Sequence, residues 1–521
     1  MDNSSNALLT KLRILIMLPP ADKEHTQLLV RWIEAAKRRW DWQVDVVCPA
    51  RDREAFKQAA APGGQIFTRP NMLETAAWEA EPEAVADIDR RLQEAEFATG
   101  IPVGQILLAG ELGIGRAFVA SARMLPSSPV VSRVFKDNTE PSRIIRRLFS
   151  FADKLIADRL PDVIFTSELA NPQYFTIWLA AAASGIPCVT PRRSKLNSDH
   201  CYWTMEQTLL NRAAEQAALA KHKAKMSVSD AAKAYIQAFR DRPKMVKYIQ
   251  TKWSHGTKRG WLRWHLRFAR TIAGELIKRP VPGYDPALHS FILGRLVAYN
   301  RRLIQSYTHR RFFRTFDEAE LEGVKYIYFP LHKEPEIALR LQATAWHDQR
   351  NTVQVLASLL PSGYRLLVRE HRLNYGSRPT EYYRRLSTLP NVVLVDAFDS
   401  QFKYLRHADL IVTENGTSGW EGLLLGRRVI TLARTLYDGA GLAIRVRDPD
   451  QLGAEILKAL QRPPVVDPEM HERHLGYMVD AERETTFPMG PEGTDACLDH
   501  LGRELVEALG SRIAAPRAAA R

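Results

Sequence analysis

No stretch of the 521 residues is apolar for long enough to span a bilayer. The longest candidate, TIWLAAAASGIPCV from Thr176 to Val189, is too short and is broken by Gly185 and Pro187. Cysteine is scarce: Cys48, Cys188, Cys201 and Cys497 are scattered, with no C-x-x-C pair and no repeated Cys/His spacing. That excludes a disulfide framework or a zinc-finger spacing and fits a reducing compartment. Neither the acidic residues nor the 14 histidines form a pattern that calls for an obligatory metal, although a weak Mg²⁺ requirement would leave no sequence trace. Glycine (28) and proline (30) fall short of a low-complexity composition, so disorder is not the main story. The start, MDNSSNALLTKLRILIMLPP, has only a short apolar run ahead of Pro19 and Pro20 and reads as a first strand rather than a signal peptide.

What is present is ordinary globular material, 45% hydrophobic and 25% charged, and the length predicts two domains rather than one. The net charge of +14 is concentrated. Between Lys221 and Arg310 there are 20 Lys and Arg against 4 Asp and Glu, a net of +16, which leaves −2 for the other 431 residues. In that segment Trp253, Trp261 and Trp264 lie among Arg263, Arg267 and Arg270. A solvated helical face is the plain reading of such a run. The functional readings are an anionic membrane surface or phosphorylated glycolipid acceptor, with the Trp rings at the interface, and nucleic acid. We take the membrane reading, a preference that leans on the family resemblance given below, and expect no nucleic acid.

The first half alternates strands and helices, which predicts a parallel sheet covered on both faces. Strands are expected at Arg13–Leu18, Gln43–Cys48, Asp162–Thr166 and Pro187–Thr190, with helices at Gln27–Arg39, Ala84–Glu96 and Tyr174–Ser184 and a mixed stretch over Pro102–Leu125. From about Asn211 to Arg314 the strand signal gives way to helical patterns. A second α/β run begins at Lys325: KYIYFPL, YRLLVRE, NVVLVD, ADLIVT and RRVITL read as strands, with helices over Glu336–Leu360 and Glu381–Ser387 and another from about Gly419. The expected division is an N-terminal Rossmann-like domain (1–210), a basic helical segment (211–315), a C-terminal Rossmann-like nucleotide-binding domain (316–465), and helices with a frayed tail (466–521).

In an open parallel sheet, ligands bind where strands end. Two polar clusters sit at such ends: Glu370 and His371 after YRLLVR, and Thr413 to Ser418 after ADLIV. If those strands are neighbours, their loops face one crevice. ENGTSG supplies small residues (Asn415, Gly416, Gly419) and the hydroxyls of Thr417 and Ser418 at a helix start, where exposed backbone N–H groups suit a donor phosphate. Glu421 could accept from ribose or sugar hydroxyls. His371 could donate to a leaving-group oxygen, with Glu370 orienting it. A tight turn, a first-turn acid and an ordinary loop histidine are the plain alternatives. In the N-terminal half, Glu24 beside His25, and Glu168 after DVIFTS, are candidate bases or solvated loop charges. GELGIG at Gly110–Gly115 does not fit G-x-G-x-x-G.

The C-terminal half resembles the bacterial capsule polysaccharide biosynthesis proteins, which include capsule Kdo transferases. The resemblance rests on Arg369-Glu370-His371, Gly376-Ser377-Arg378, Tyr382-Tyr383, Asn391-Val392, Gly416-Thr417-Ser418-Gly419-Trp420-Glu421 and Gly426-Arg427-Arg428-Val429, together with YFPLHKEPE, whose His332 and Glu336 are thereby further donor-binding candidates. It covers about Tyr326 to Tyr437. Arg372 stands where the family usually has Pro after the His, and Arg427-Arg428 replace its usual Lys-Pro. The resemblance implies a GT-B arrangement of two Rossmann-like domains and transfer from a nucleotide-sugar donor such as CMP-Kdo. It also implies contact of His371, and more weakly Glu370, with the donor's nucleotide part. By the same token it implies a glycolipid or growing saccharide as acceptor, other polysaccharide assembly proteins as partners, and a cytoplasmic place at the inner face of the membrane. A polyol-phosphate transferase of teichoic-acid type and a non-catalytic assembly or export scaffold remain as alternatives, the latter because of Arg372.

Overall fold

The structure is a computed structural model. It describes residues 3–18, 24–60, 62–70, 81–106, 140–166, 169, 172–197, 199–206, 210–244, 266, 269–270, 300–334, 336, 338–438, 441–463, 465 and 467–514. Among them, in chain order, are the strands β1 (Arg13–Met17), β2 (Gln43–Cys48), β3 (Ile66–Thr68), β4 (Val163–Phe165), β5 (Cys188–Arg193), β6 (His200–Thr204), β7 (Tyr326–Pro330), β8 (Arg365–Arg369), β9 (Val392–Val395), β10 (Leu410–Thr413), β11 (Val429–Thr431), β12 (Ile444–Arg445) and β13 (Phe487–Pro488). They form two sheets in two compact units. The mixed α/β class with two parallel-sheet domains is the one the alternating pattern predicts.

The first unit comprises 1–114, 134–228 and 477–521. Its sheet runs β13-β6-β5-β4-β1-β2-β3. The β1, β2, β3, β4 and β5 pairings are parallel, and β6 and β13 close one side antiparallel. Interior strands are buried almost throughout, as β-rich runs covered on both faces must be. Gly185, at φ +65°, stops the helix Pro172–Ala183, the left-handed turn that its place before Pro187 predicts. The C-terminal segment belongs to this core. Phe487 of β13 meets Trp32 and Trp203 edge-on or tilted, at 5.4 and 6.3 Å between ring centroids, and the helix Thr494–Ala514 packs on Glu24–Trp40. A sequence pattern could not join residues 477–521 to the N-terminal half, because the link is a short antiparallel pairing with β6. All four cysteines are free and buried.

The second unit comprises 115–133 and 229–476. Its sheet runs β12-β11-β10-β7-β8-β9, all parallel. The chain starts at β7, proceeds outward through β8 and β9, and then returns to place β10 on β7's other side. The order therefore reverses between β7 and β10, where the two crossovers leave in opposite directions and open a crevice at the strands' carboxyl ends. In consequence β8 and β10 are not neighbours, as the pairing of their loops would have suggested; β7 separates them. The expected helix over 336–360 is also broken. Residues Ala338–Gln342 form a wide π turn and Thr344–Trp346 a 3₁₀ turn, and a regular helix restarts only at Gln349–Ser358, where Asp348 caps it by accepting from the Arg350 N–H. Asn415 ties the π turn down, donating to the Ala338 carbonyl at 3.0 Å and to Gln342 Oε1 at 2.7 Å.

Candidate functional site

Three adjacent strands, β10, β7 and β8, end side by side and bring together residues 80 positions apart in sequence. From β7 comes His332, from β8 Glu370 and His371, and from β10 the loop Glu414–Gly416 and the helix Thr417–Leu424.

The loop after β10 is shaped by its small residues. Thr413 Oγ1 accepts the Gly416 N–H at 3.1 Å, which turns the chain into the helix. A Cβ on Gly416 would lie 3.0 Å from Thr413 Oγ1 and 3.2 Å from His332 Nε2, so the backbone there stands against the imidazole. A Cβ on Gly419 would lie 2.3 Å from the Tyr437 hydroxyl, which in turn donates to the Gly416 carbonyl at 2.7 Å. Thr417 and Ser418, at the helix start, are partly exposed. The helix's far end is covered: Arg240 donates to the Leu424 carbonyl at 2.7 Å, and His471 Nε2 meets the Leu423 carbonyl at 2.9 Å. Arg240 thus places a cation at the dipole's negative end, burial holds the His471 imidazole below its ordinary range, and the positive end is left for an anion.

His332 stands between two carboxylates. Its Nδ1 is 3.7 Å from Glu336 and its Nε2 3.3 Å from Glu414, which is wholly buried and accepts no hydrogen bond from the described residues. Burial pushes the Glu414 carboxyl up to about 7 against the pull of His332. Burial also raises Glu336, but the adjacent His332, then His371 and Lys333, outweigh it and leave that carboxyl below its ordinary value. Gln349 grips the His332 backbone from both sides, accepting its N–H at 2.6 Å and donating to its carbonyl at 3.2 Å.

His371 caps the 3₁₀ turn Arg372–Asn374, its Nδ1 accepting the Leu373 N–H at 3.2 Å. That bond assigns the ring proton of the neutral imidazole to Nε2. Burial pushes His371 down to about 4, opposed by Glu336 and reinforced by His332, Arg369 and Arg378. At neutral pH it is therefore an uncharged donor through Nε2. Glu370 does not orient this ring. Its Oε1 accepts the His371 backbone N–H at 2.6 Å, and its Oε2 accepts from Arg378 Nε at 2.8 Å and the Tyr383 hydroxyl at 2.6 Å. At 1% exposure it is an internal anchor for the loop rather than a group presented to a reactant.

Arg378 itself is fully buried. It pairs with Glu334 as well as Glu370 and donates to the His332 carbonyl at 3.1 Å. Burial alone would lower its pKa; Glu334 and Glu370 more than offset that, so it stays charged. Gln349, Glu334 and Arg378 all escaped the sequence reading as site residues. Arg378 was visible only as the last letter of a Gly-Ser-Arg motif, and nothing local marks Gln349.

Asn415 is directed at the turn 338–342, as described, and Glu421 inward: its Oε2 accepts from Gln401 at 2.8 Å, and burial pushes it up to about 7 against Arg369. Arg372, in the family's Pro position, occupies the first residue of its turn and donates to the Ala397 and Phe398 carbonyls at 3.0 and 3.3 Å. Arg428, in place of Pro, reaches the carbonyls of Ala459, Arg462 and Pro463 at the end of the helix Leu452–Leu460. Both departures are local structural ties. Glu24 opens the helix after β1, but its side chain and that of His25 lie outside the described set, as does Glu168 after β4. β1 and β4 flank the corresponding order reversal of the first sheet. Trp253, Trp261, Arg263, Trp264 and Arg267 also lie outside the described residues; Arg270 is helical and exposed. Among the described residues no helix is long and apolar enough to cross a membrane.

No curated protein matches the sequence. Solved structures similar to the chain include a glycotransferase of kitacinnamycin (14% identity, covering 95% of this chain and 99% of that one, TM-score 0.25). The calicheamicin glycosyltransferase CalG4 is similar at 12% (95% and 99%, TM-score 0.27), and the UDP-GlcNAc 2-epimerase from Neisseria meningitidis bound to UDP-GlcNAc at 13% (91% and 98%, TM-score 0.27). Likeness at that level leaves function to be argued from the site. The segment that builds the site is matched independently: residues 266–468 are similar to the family described as capsule polysaccharide biosynthesis protein.

Proposed function

We propose that the chain is a nucleotide-sugar-dependent glycosyltransferase of capsule or lipopolysaccharide assembly, with Kdo from CMP-Kdo as the first donor to test. The observation that carries this is the meeting of an open helix N-terminus, Thr417–Leu424, with the His332 and His371 loops at the carboxyl ends of β10, β7 and β8, inside the segment that matches the capsule family.

In this reading the donor phosphate lies at the helix start, held by backbone N–H groups and the Thr417 and Ser418 hydroxyls, and His371 donates to it through Nε2. As the bond between the anomeric carbon and the phosphate oxygen breaks, its electron pair goes to that oxygen. The helix N–H groups and His371 stabilise the charge that develops. The acceptor hydroxyl oxygen forms the new bond to the anomeric carbon and gives up its proton to a general base. The acceptor is a glycolipid or growing saccharide, reached from the cytoplasmic face of the inner membrane through the basic segment and alongside other assembly proteins. No step requires a metal.

Thermal shift with CMP, CDP, UDP, GDP and CDP-glycerol tests the reading. A ligand that binds only the folded state at 100 times its Kd adds about 2.7 kcal/mol. Stabilisation by CMP supports a Kdo-type transferase, by CDP-glycerol a polyol-phosphate transferase. Silence towards all five, with a folded protein, would leave the scaffold reading.

A further inference from the structure

The geometry points to Arg378 as a positioning residue that fixes the His332 loop and the His371 loop to each other, and so sets the spacing of the two imidazoles. This rests on the proposal that those imidazoles serve the donor.

Arg378 is wholly buried, and its three nitrogens go to three different places. Nε binds Glu370, whose other oxygen holds the His371 N–H; Nη1 binds Glu334, two residues past His332; Nη2 binds the His332 carbonyl itself. The ligand loops on β7 and β8 are thereby joined by one planar group with a fixed angle between its bonds. Other elements brace the clamp. The guanidinium lies 4.5 Å from the Tyr382 ring centroid, Tyr383 donates to Glu370, and Gln349 donates to Glu334 at 2.6 Å. Gly376, two residues earlier at φ +74°, passes so close to the segment 300–309 that a Cβ would lie 2.4 Å from the Arg302 carbonyl. Arg302 in turn donates to the carbonyls of Leu373 and Tyr375, which fixes the turn from outside. A stabilising salt bridge could be supplied by Arg378 and one carboxylate. Two carboxylates and a carbonyl from both histidine loops are more than stability needs, since buried ion clusters exchanged whole for neutral groups commonly cost little.

That last point supplies the test. Arg378→Lys keeps the charge but cannot make three bonds at fixed angles. The triple variant Glu334→Gln, Glu370→Gln, Arg378→Met removes every charge of the cluster at once and keeps its volume. We expect the triple variant to melt close to wild type. In both variants the histidine side-chain ¹⁵N spectrum should lose the single Nε2–H tautomer of His371 and show exchange between tautomers, and binding of whichever nucleotide stabilises the wild type should weaken at least tenfold. If the triple variant folds with the wild-type His371 tautomer and wild-type affinity, Arg378 is core packing and the inference fails. If the lysine variant does not fold, the triple variant decides. If the triple variant does not fold either, the cluster is there for stability and the inference is likewise overturned. Should the wild type bind none of the nucleotides, the transferase reading falls, while the tautomer measurement still judges Arg378.

Discussion

The neutral state of His371 is the step in the mechanism most open to measurement. Folded, the imidazole titrates at about 4; unfolded, at its ordinary 6.5. Between those values the unfolded chain holds a proton that the native protein does not, so stability falls as pH drops through this window and is unaffected above it. At about 1.4 kcal/mol per pH unit the ceiling is about 3 kcal/mol. Solvent at the ring edge screens part of that, and about 1–2 kcal/mol is the expected change. The groups facing the ring are Glu336, His332, Arg369 and Arg378. His309 and His500 are also pushed down to about 4 by burial, so the raw pH profile of the wild type mixes several contributions. The comparison with His371→Gln removes them. Hydrogen exchange of peptides spanning β8, read as the difference between wild type and variant from pH 4 to 8, also cancels the intrinsic pH dependence of exchange. The difference should be flat above pH 7, should shrink by about 1–2 kcal/mol between 6.5 and 4, and should be flat again below. A difference independent of pH would mean the ring titrates alike folded and unfolded, as a solvated imidazole does, and a difference that grows as pH falls would mean the native ring is held charged; either result would sink the neutral-donor argument. At pH 7 the same variant should bind nucleotide about 10–100-fold more weakly, the worth of one hydrogen bond to a charged group.

Gly419→Ala should destabilise by about 1–3 kcal/mol, because its Cβ displaces the Tyr437 hydroxyl; adding Tyr437→Phe should recover part of the loss in thermal melts, and additive losses would refute the contact. Arg372→Pro should fold and bind nucleotide as wild type, since the Arg372 N–H, at the first position of its turn, makes no backbone hydrogen bond among the described residues and His371 is extended at φ −77°, ψ 126°; a loss of binding would show that the side chain takes part. Arg428→Leu uncovers three carbonyls and should cost about 1–3 kcal/mol without changing nucleotide affinity; altered nucleotide preference would return Arg428 to the donor site.

The sequence disclosed the site in pieces but not their assembly. His371 and the Gly416–Gly419 loop were legible because strand ends and helix starts leave local signals: an apolar run that stops, then small and hydroxyl-bearing residues. The strand order was not, since all the strands read alike as buried runs. That is why it stayed open whether β8 and β10 are neighbours, and why His332, although a donor-binding candidate, could not be placed on the strand between them. Side-chain direction was equally hidden. Glu370 read as a group that orients the His371 ring and Glu421 as an acceptor for ribose or sugar hydroxyls or a solvated first-turn acid, yet both point inward, to Arg378 and to Gln401. A carboxylate can be buried only where a distant chain segment supplies its donor, and no window of sequence contains that partner.

Arg372 and Arg428, which depart from the pattern of the capsule polysaccharide biosynthesis proteins, show how a local geometry can be kept while its letters change. A Pro after the histidine fixes the turn by covalent restraint of φ; Arg372 fixes the same turn from its far end, through two carbonyls of the loop after β9. A Pro before Val429 starts its strand stiffly, whereas Arg428 ties that strand start to the end of the helix Leu452–Leu460. In each case conformational restraint in the backbone is replaced by hydrogen bonds from a long side chain, whose rotamer entropy must be overcome on folding. The exchange leaves His332, His371 and the open end of the helix Thr417–Leu424 where a donor phosphate would use them, so neither arginine is a reason to regard the site as lost.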